Sequence, residues 1–336
     1  MLKIELLEKL LSIPSPTGYT QKKVAFLEEY CHSLGYETYK NQKGNLIVEV
    51  KGRDDYNLGL FAHIDTLGLM VRSIKGNGKL SFTILGGPIL PTYDGEYCTI
   101  HTRDNKEYSG TVLSTSPSVH VYKDARSKER SEDTMEIRID ELVYSKKEVE
   151  QLGIQNGDII SINPKFEYTS SKYIKTRFLD DQGGAFLLLE VLRTLKEQNI
   201  TPLHNLKVVF STYEETGHGA ANIPTLDEIL AVDMGCIGLD LQCNEEMVSI
   251  CAKDAGGPYD YDMTTKLINI AKEENLQFAV DVYPFYSSDA TAALKAGNDV
   301  KCALIGPGIH ASHGMERTHY NALENTYKLI IKYISK

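Results

Sequence analysis

Apolar residues recur along the chain with two different spacings, and their alternation sets the expected architecture. The N-terminal run MLKIELLEKLLSIPSPTG has acids inside its apolar stretch and proline straight after it, the pattern of a short amphipathic helix. Residues 20–34 put Val24, Leu27, Cys31 and Leu34 on one helical stripe, and Gly35 is well placed to end it. Strand-like runs follow at 44–50 and 58–65. The second is nearly all apolar, as suits a strand buried on both faces.

From about residue 67 to 175 the texture changes. Short β-type runs (LMVRSI, KLSFTIL, EYCTIHT, YSGTVL, DIISINP) are punctuated by Gly, Pro, Asn and Asp, with one charged helical stretch near 145–152. Helical spacing resumes at Gly183, and helices are expected over 184–199, 260–275, 288–297 and 322–334. Strands are expected between them at 206–215, 237–241, 277–282 and 300–306. The pattern predicts an α/β fold, a three-layer α/β/α domain built discontinuously from 1–66 plus 176–336. A β-rich, barrel-like domain is inserted over 67–175.

Composition narrows the function. Of 336 residues, 42% are hydrophobic and 24% charged, which is ordinary globular usage with room for two domains. The 36 basic and 46 acidic residues give a net charge of −10, so neither nucleic acid nor an anionic membrane is expected as a partner. Six cysteines (31, 98, 236, 243, 251, 302) form no CxxC pair. With no export signal in the N-terminal run, they read as reduced thiols of a cytoplasmic protein.

Five segments carry acids or histidines where an expected strand stops, and sites of open α/β sheets form at the carboxyl ends of strands. In AHIDTLG, His63 and Asp65 share a face. A metal-bound imidazole needs an acceptor on its second nitrogen, which makes Asp65 a candidate orienting partner. FLDDQGGAF pairs Asp180 with Asp181. One such Asp could cap the following helix, which leaves the other unexplained. Of the two donor types here, the carboxylate is the one that can bridge two cations, because an imidazole nitrogen has a single lone pair. STYEETGHG ends a strand in Glu214 and Glu215. Adjacent carboxylates repel unless a cation is near, and one could ligate while its neighbour takes a proton from water. LAVDMG sets Asp233 among apolar residues, where an acid is rarely buried unless paired or ligating. GPGIHASHGMERTH holds His310, His313 and His319. A solvated acidic strand end or a hydrogen-bonded loop histidine would explain any one of these segments alone. Together they form the mixed nitrogen and oxygen donor set of a co-catalytic dinuclear centre.

On these residues, in this order and over essentially the whole chain, the sequence resembles metallopeptidase family 42, the tetrahedral, deblocking or glutamyl aminopeptidases. The segment EVEQLGIQNGDIISINPKFEY at 148–168 is similar to the family's exit from its inserted domain. The resemblance implies a metallo-aminopeptidase with two divalent ions per subunit (Zn, Co or Mn). His63 and Asp233 would bind one ion, Glu215 and His313 the other, with Asp180 bridging and a cis peptide bond leading to Asp181. A hydroxide shared by the ions would attack the scissile carbonyl, Glu214 would be the general base, and Asp65 would orient His63. YSSDATAALKAG stands where the family has a Gly-Gly-Thr-Asp-like segment and would bring Ser288 and Asp289, with His310, to the substrate. The expected partners are short peptides with a free N-terminus and further copies of the chain, from dimer to dodecamer, assembled through the inserted domain.

Departures from the family pattern fall at Gln182, at His310-Ala-Ser-His313-Gly and at Thr216-Gly217-His218, and leave the expected ligands intact. The same ligands would serve a related dinuclear hydrolase acting on N-acyl amino acids or blocked small peptides. Nucleotide binding through GPGIHA is disfavoured, since no second strand offers a ribose-binding acid about 20 residues on. A serine hydrolase is disfavoured by the lack of GxSxG. A non-enzymatic scaffold would hold no metal.

Overall fold

The computed structural model describes residues 2–336, which divide into two compact units. The first unit comprises residues up to Asp65 and Lys165–Lys336, and the second is Thr66–Pro164.

The first unit is built on a ten-stranded sheet. Its centre is parallel. Asn57–His63 lies between Asn205–Ser211 and Glu228–Val232, and Lys301–Ile309 follows on the far side of the latter. Antiparallel strands Leu46–Val50 and Val248–Asp254 flank this centre. Alternation along the strands covers both faces. On one face Ile47, Phe61, Val209, Ile229, Ala231 and Leu304 form a core with Ala290 and Ala293 of helix Asp289–Lys295. The other face is covered by helix Leu179–Glu197, which packs on strand Asn57–His63, and by helix Tyr320–Ser335 beside it. This is the three-layer arrangement expected. Helix Leu179–Glu197 is buried along nearly its whole length, and its one interior acid, Glu190, is neutralised by a two-point pairing with Arg193.

The second unit is a closed six-stranded barrel. Leu69, Val71, Leu80, Phe82, Ile100, Val112, Met135, Ile137 and Ile160 are buried in it. It ends at Pro164 rather than at 175. Residues beyond belong to the first unit because strand Tyr173–Thr176 forms a ladder with Glu316–His319.

Several elements depart from expectation, among them the short strands Thr38–Lys40, Tyr173–Thr176 and Glu316–His319. Strands Met135–Ile139 and Val248–Asp254 were not anticipated by the periodicity. Residues 237–241 form no strand. Gly238 and Leu239 take positive φ (149° and 44°), which turns the chain and leaves Leu239 fully exposed. Among the described residues no helix is long and apolar enough to cross a membrane.

Candidate metal centre

The parallel centre of the sheet delivers the first donors. His63 ends one strand and Asp233 lies one residue past the end of its parallel neighbour, so both sit at the same edge. Two glycines make room for them. A Cβ on Gly184 would stand 2.1 Å from the carbonyl oxygen of Val232, and one on Gly306 would stand 1.6 Å from that of Asp233. Asp180 and Asp181 interrupt the first turn of their helix, and the peptide bond between them is cis. Asp181 is the capping acid. Its carboxylate accepts the backbone N–H of Gly184 at 2.8 Å and that of His63 at 3.1 Å. Asp180 is thereby left free to face the cluster.

One donor atom from each of His63, Asp180 and Asp233 lies within 4.8 Å of the other two. The carboxylate of Asp180 addresses two imidazoles with its two oxygens. Oδ1 is 3.1 Å from His63 Nε2, and Oδ2 is 3.4 Å from His313 Nε2. Glu215 Oε2 lies 3.7 Å from His313 Nε2, and Glu214 Oε2 lies 3.7 Å from His63 Nε2. The structure thus gathers all five expected ligands and the expected base around Asp180.

Asp65 works differently from expectation. It is the main-chain oxygen of Asp65 that meets His63 Nδ1, at 3.0 Å, whereas its nearest carboxylate oxygen is 3.6 Å away. The carboxylate instead accepts the backbone N–H groups of Glu214 and Glu215, at 3.1 and 3.3 Å, and the hydroxyl of Thr17 at 2.8 Å. One residue therefore aims the imidazole and pins the paired glutamates. The three expected substrate contacts separate. Asp289 is buried, accepts a hydrogen bond from Ser211, and is close enough for its charge to act on Glu214. Ser288 is turned away into a network in which Tyr259 bonds both Ser288 (2.7 Å) and Asp254 (2.8 Å). His310 is exposed and bridges Arg317 through its backbone.

Two buried residues of the centre had escaped the sequence reading. Glu316 accepts the N–H groups of Asp180 (3.2 Å) and His313 (3.0 Å), fixing the backbone of two donors. Lys23 is fully buried and donates to Gln182 Oε1 at 2.6 Å, while Gln182 Nε2 donates to the carbonyl of Ile64 at 3.1 Å. It stands four residues before Leu27 and eight before Cys31, so its place on the buried stripe was detectable.

Electrostatically the cluster is short of positive charge. Burial pushes Asp233 up to about 7, with Asp180 adding to the effect. Burial raises Glu214 and Glu215 well above the usual carboxylate range, with Asp233 and Asp180 respectively reinforcing it. Burial also raises Glu316 to about 8 and Asp289 to about 6. Asp180 alone is held below the ordinary range, since the two imidazoles outweigh its burial. Burial opposes a charged His63, yet Asp180, Asp65, Glu214 and Asp233 lift its proton affinity well above the ordinary value. Glu215 Oε1 is buried with no hydrogen-bond partner. A set of carboxylates that competes for protons, with a shared acid between two imidazoles, fits divalent cations. The donor set of this centre passes that test.

Known structures place this arrangement in a class. The chain superposes on the TET aminopeptidase of the Thaumarchaeota archaeon SCGC AB-539-E09 with a TM-score of 0.90 and 22% identity, over 99% of this chain and 96% of that one. It superposes on the TET1 peptidase of Pyrococcus horikoshii with a TM-score of 0.87 and 26% identity, over 99% and 98%. The fold and the site define an aminopeptidase with a barrel insert. Residues 44–329 match the model of the M42 glutamyl aminopeptidase family, and the chain belongs to that family. The Bacillus subtilis protein YhfE, which bears a provisional aminopeptidase name, is 45% identical over 98% of this chain and 96% of its own length. The lysyl aminopeptidase of Pyrococcus furiosus is 26% identical over 66% of this chain and 62% of its own.

Proposed function

We propose that the chain removes N-terminal residues from short peptides and holds two divalent cations per subunit to do so. The observation that carries this reading is the Asp180 carboxylate addressing His63 with one oxygen and His313 with the other. In this reading His63 and Asp233 would hold one cation, Glu215 and His313 would hold the second, and Asp180 would serve both. Zn, Co and Mn all suit such donors. When bound, such cations make a water molecule more acidic and polarise the scissile carbonyl.

The chain's own residues carry the proton. Glu214 takes one from the attacking water as its oxygen bonds to the carbonyl carbon. It returns that proton to the leaving nitrogen as the C–N bond breaks, so water and peptide become a free amino acid and a shortened peptide. The high proton affinity that burial gives Glu214 suits this exchange. Asp65 holds Glu214 and Glu215 by their N–H groups, so base and ligand keep a fixed spacing. The acidity of the cluster attracts an ammonium group, which favours a peptide's N-terminus over an internal bond. Of the three expected substrate contacts we retain Asp289. The six free cysteines agree with a reducing cytoplasm. Homo-oligomeric assembly through the insert is supported by exposed Val119, Val121, Leu142 and Tyr144 on the second unit. It is also supported by the Pyrococcus horikoshii TET1 peptidase, described as forming a tetrahedron or a large octahedral shell.

The test is turnover of aminoacyl amides. Chelation should abolish it and added cation restore it. Glu214→Gln should lower kcat at least about 10²-fold with cation content unchanged. Near-parental activity in that variant, or full activity in the presence of chelator, would refute the reading.

A further inference from the structure

Lys23 sits on helix Gln21–Ser33 and is 1% exposed, an unusual place for an ammonium group. Burial lowers its pKa to about 7, against the pull of Asp65. Its hydrogen bond runs to a neutral amide, with Nζ donating to Gln182 Oε1 at 2.6 Å. Gln182 is buried too, two residues beyond Asp180 in helix Leu179–Glu197, and its Nε2 donates to the carbonyl oxygen of Ile64 at 3.1 Å. None of the proton or cation chemistry proposed for the centre uses these contacts.

An ammonium group donates and never accepts, whereas an amide does both. Facing Lys23, Gln182 has to turn its oxygen toward Nζ, and its NH2 is then left for Ile64. Reversed, the amide would set oxygen against oxygen at Ile64 and NH2 against ammonium at Lys23. The lysine therefore selects one of two amide orientations, which no apolar side chain of the same length can do. Ile64 is the residue between His63 and Asp65. Its N–H donates to the carbonyl of Ser211 at 2.9 Å, and its own carbonyl oxygen also accepts Ser15 Oγ at 2.8 Å. That carbonyl belongs to the planar peptide unit leading into Asp65, so fixing the one orients the other. Asp65 in turn holds Glu214 and Glu215 by their N–H groups (3.1 and 3.3 Å) and meets His63 Nδ1 with its main-chain oxygen (3.0 Å).

We propose that Lys23 is a positioning residue, which acts through Gln182 and Ile64 to hold Asp65, and with Asp65 the paired glutamates, in a fixed place. It touches neither substrate nor cation. Loss of the donor releases the Gln182 amide and loosens the peptide unit before Asp65. A catalytic group displaced by about 1 Å can lose about 10²-fold in rate, so a contact this far from the chemistry still counts.

The kinetic arm of the test rests on the aminopeptidase reading, and the exchange arm does not. Lys23→Met keeps the stem and removes the donor. In chelator-treated protein, amide hydrogens over residues 212–217, followed by mass spectrometry, should exchange at least about 10-fold faster in the variant than in the parent, with strand Glu228–Val232 unchanged. With cation restored, kcat per folded molecule should fall at least about 10-fold, with KM unchanged. The transposed pair, Lys23→Gln with Gln182→Lys, keeps an ammonium and an amide in the same contact and leaves a donor for Ile64. Its kcat and exchange should return to within about threefold of the parent. Unchanged exchange over 212–217 in Lys23→Met would overturn the role of Lys23. So would a loss of activity that only follows the unfolded fraction, since the lysine would then support the fold alone. If Lys23→Met does not fold, the transposed pair decides: parental kcat and exchange support the role, and a folded protein about 10-fold slower overturns it. If exchange shifts as expected while the parent hydrolyses no aminoacyl amide, the aminopeptidase reading fails and the positioning role stands.

Discussion

Asp65 shows how much one side chain can organise. Its carboxylate joins two adjacent N–H groups and a hydroxyl, and its backbone oxygen aims His63. The sequence indicated that Asp65 and His63 belong together, but alternation along a strand says nothing about which atom makes the contact. Glu316 was hidden for a related reason. It acts on the backbone of Asp180 and His313, and no side-chain pattern announces that. His313 itself has φ 63°, in the left-handed region, at a cost of about 1–2 kcal/mol that a site-determining loop can retain. The charge imbalance has a consequence for stability. Asp289, Asp233 and Glu316 reach about 6, 7 and 8 in the fold, against about 4 for such acids in an unfolded chain. Between those values the folded protein binds more protons than the unfolded one, so stability is fullest at low pH and is lost as pH rises. His63, raised likewise, adds with the same sign. Lys23, lowered to about 7 by burial against the pull of Asp65, acts oppositely, but only above that value. The chelator-treated protein should therefore melt at a lower temperature at pH 7 than at pH 5, and saturating cation should narrow the difference. A melting temperature that rises across that range without cation would contradict the charge account.

At the level of elements, helix Leu179–Glu197 ties the centre to the sheet. Asp181 caps it, Asp180 faces the cluster, and Gly184 lets it approach Val232. A methyl group at Gly184 would meet the Val232 carbonyl at 2.1 Å and Asp181 Oδ1 at 2.3 Å, so the backbone must move. Gly184→Ala should cost about 1–3 kcal/mol in urea unfolding and weaken cation binding. A variant with parental stability and cation affinity would show that this contact does not position Asp180. The long amphipathic helices and the apolar central strands were legible because their spacing is unambiguous. Val248–Asp254 was missed even though Asn244 opens a turn just before it; its antiparallel ladder with Lys301–Ile309 is a long-range pairing that local pattern does not show. Residues 237–241 have the apolar alternation of a strand, but Gly238 and Leu239 bend the backbone out of the extended region. The boundary at Pro164 depended on a ladder with residues 316–319, a long-range pairing that local pattern cannot reveal.

For the whole molecule, the family and the fold were readable because five strand-end segments occur together in one order. Exposed apolar residues on the barrel unit account for the proposed assembly. Val121 and Leu142 are 72% and 87% exposed. The double variant Val121→Asp and Leu142→Asp should reduce the mass seen by sedimentation while leaving cation binding intact. An unchanged mass would remove the insert from the interface. The central claim is that one carboxylate, set between imidazoles from distant parts of the chain, joins two cations. Calorimetric titration of zinc into chelator-stripped protein tests it most directly. We expect two sites per chain in the parent, a single site in His313→Ala, and severe loss of both in Asp180→Ala. A parent that takes up no zinc, or an Asp180→Ala variant that binds two ions with parental affinity, would contradict it.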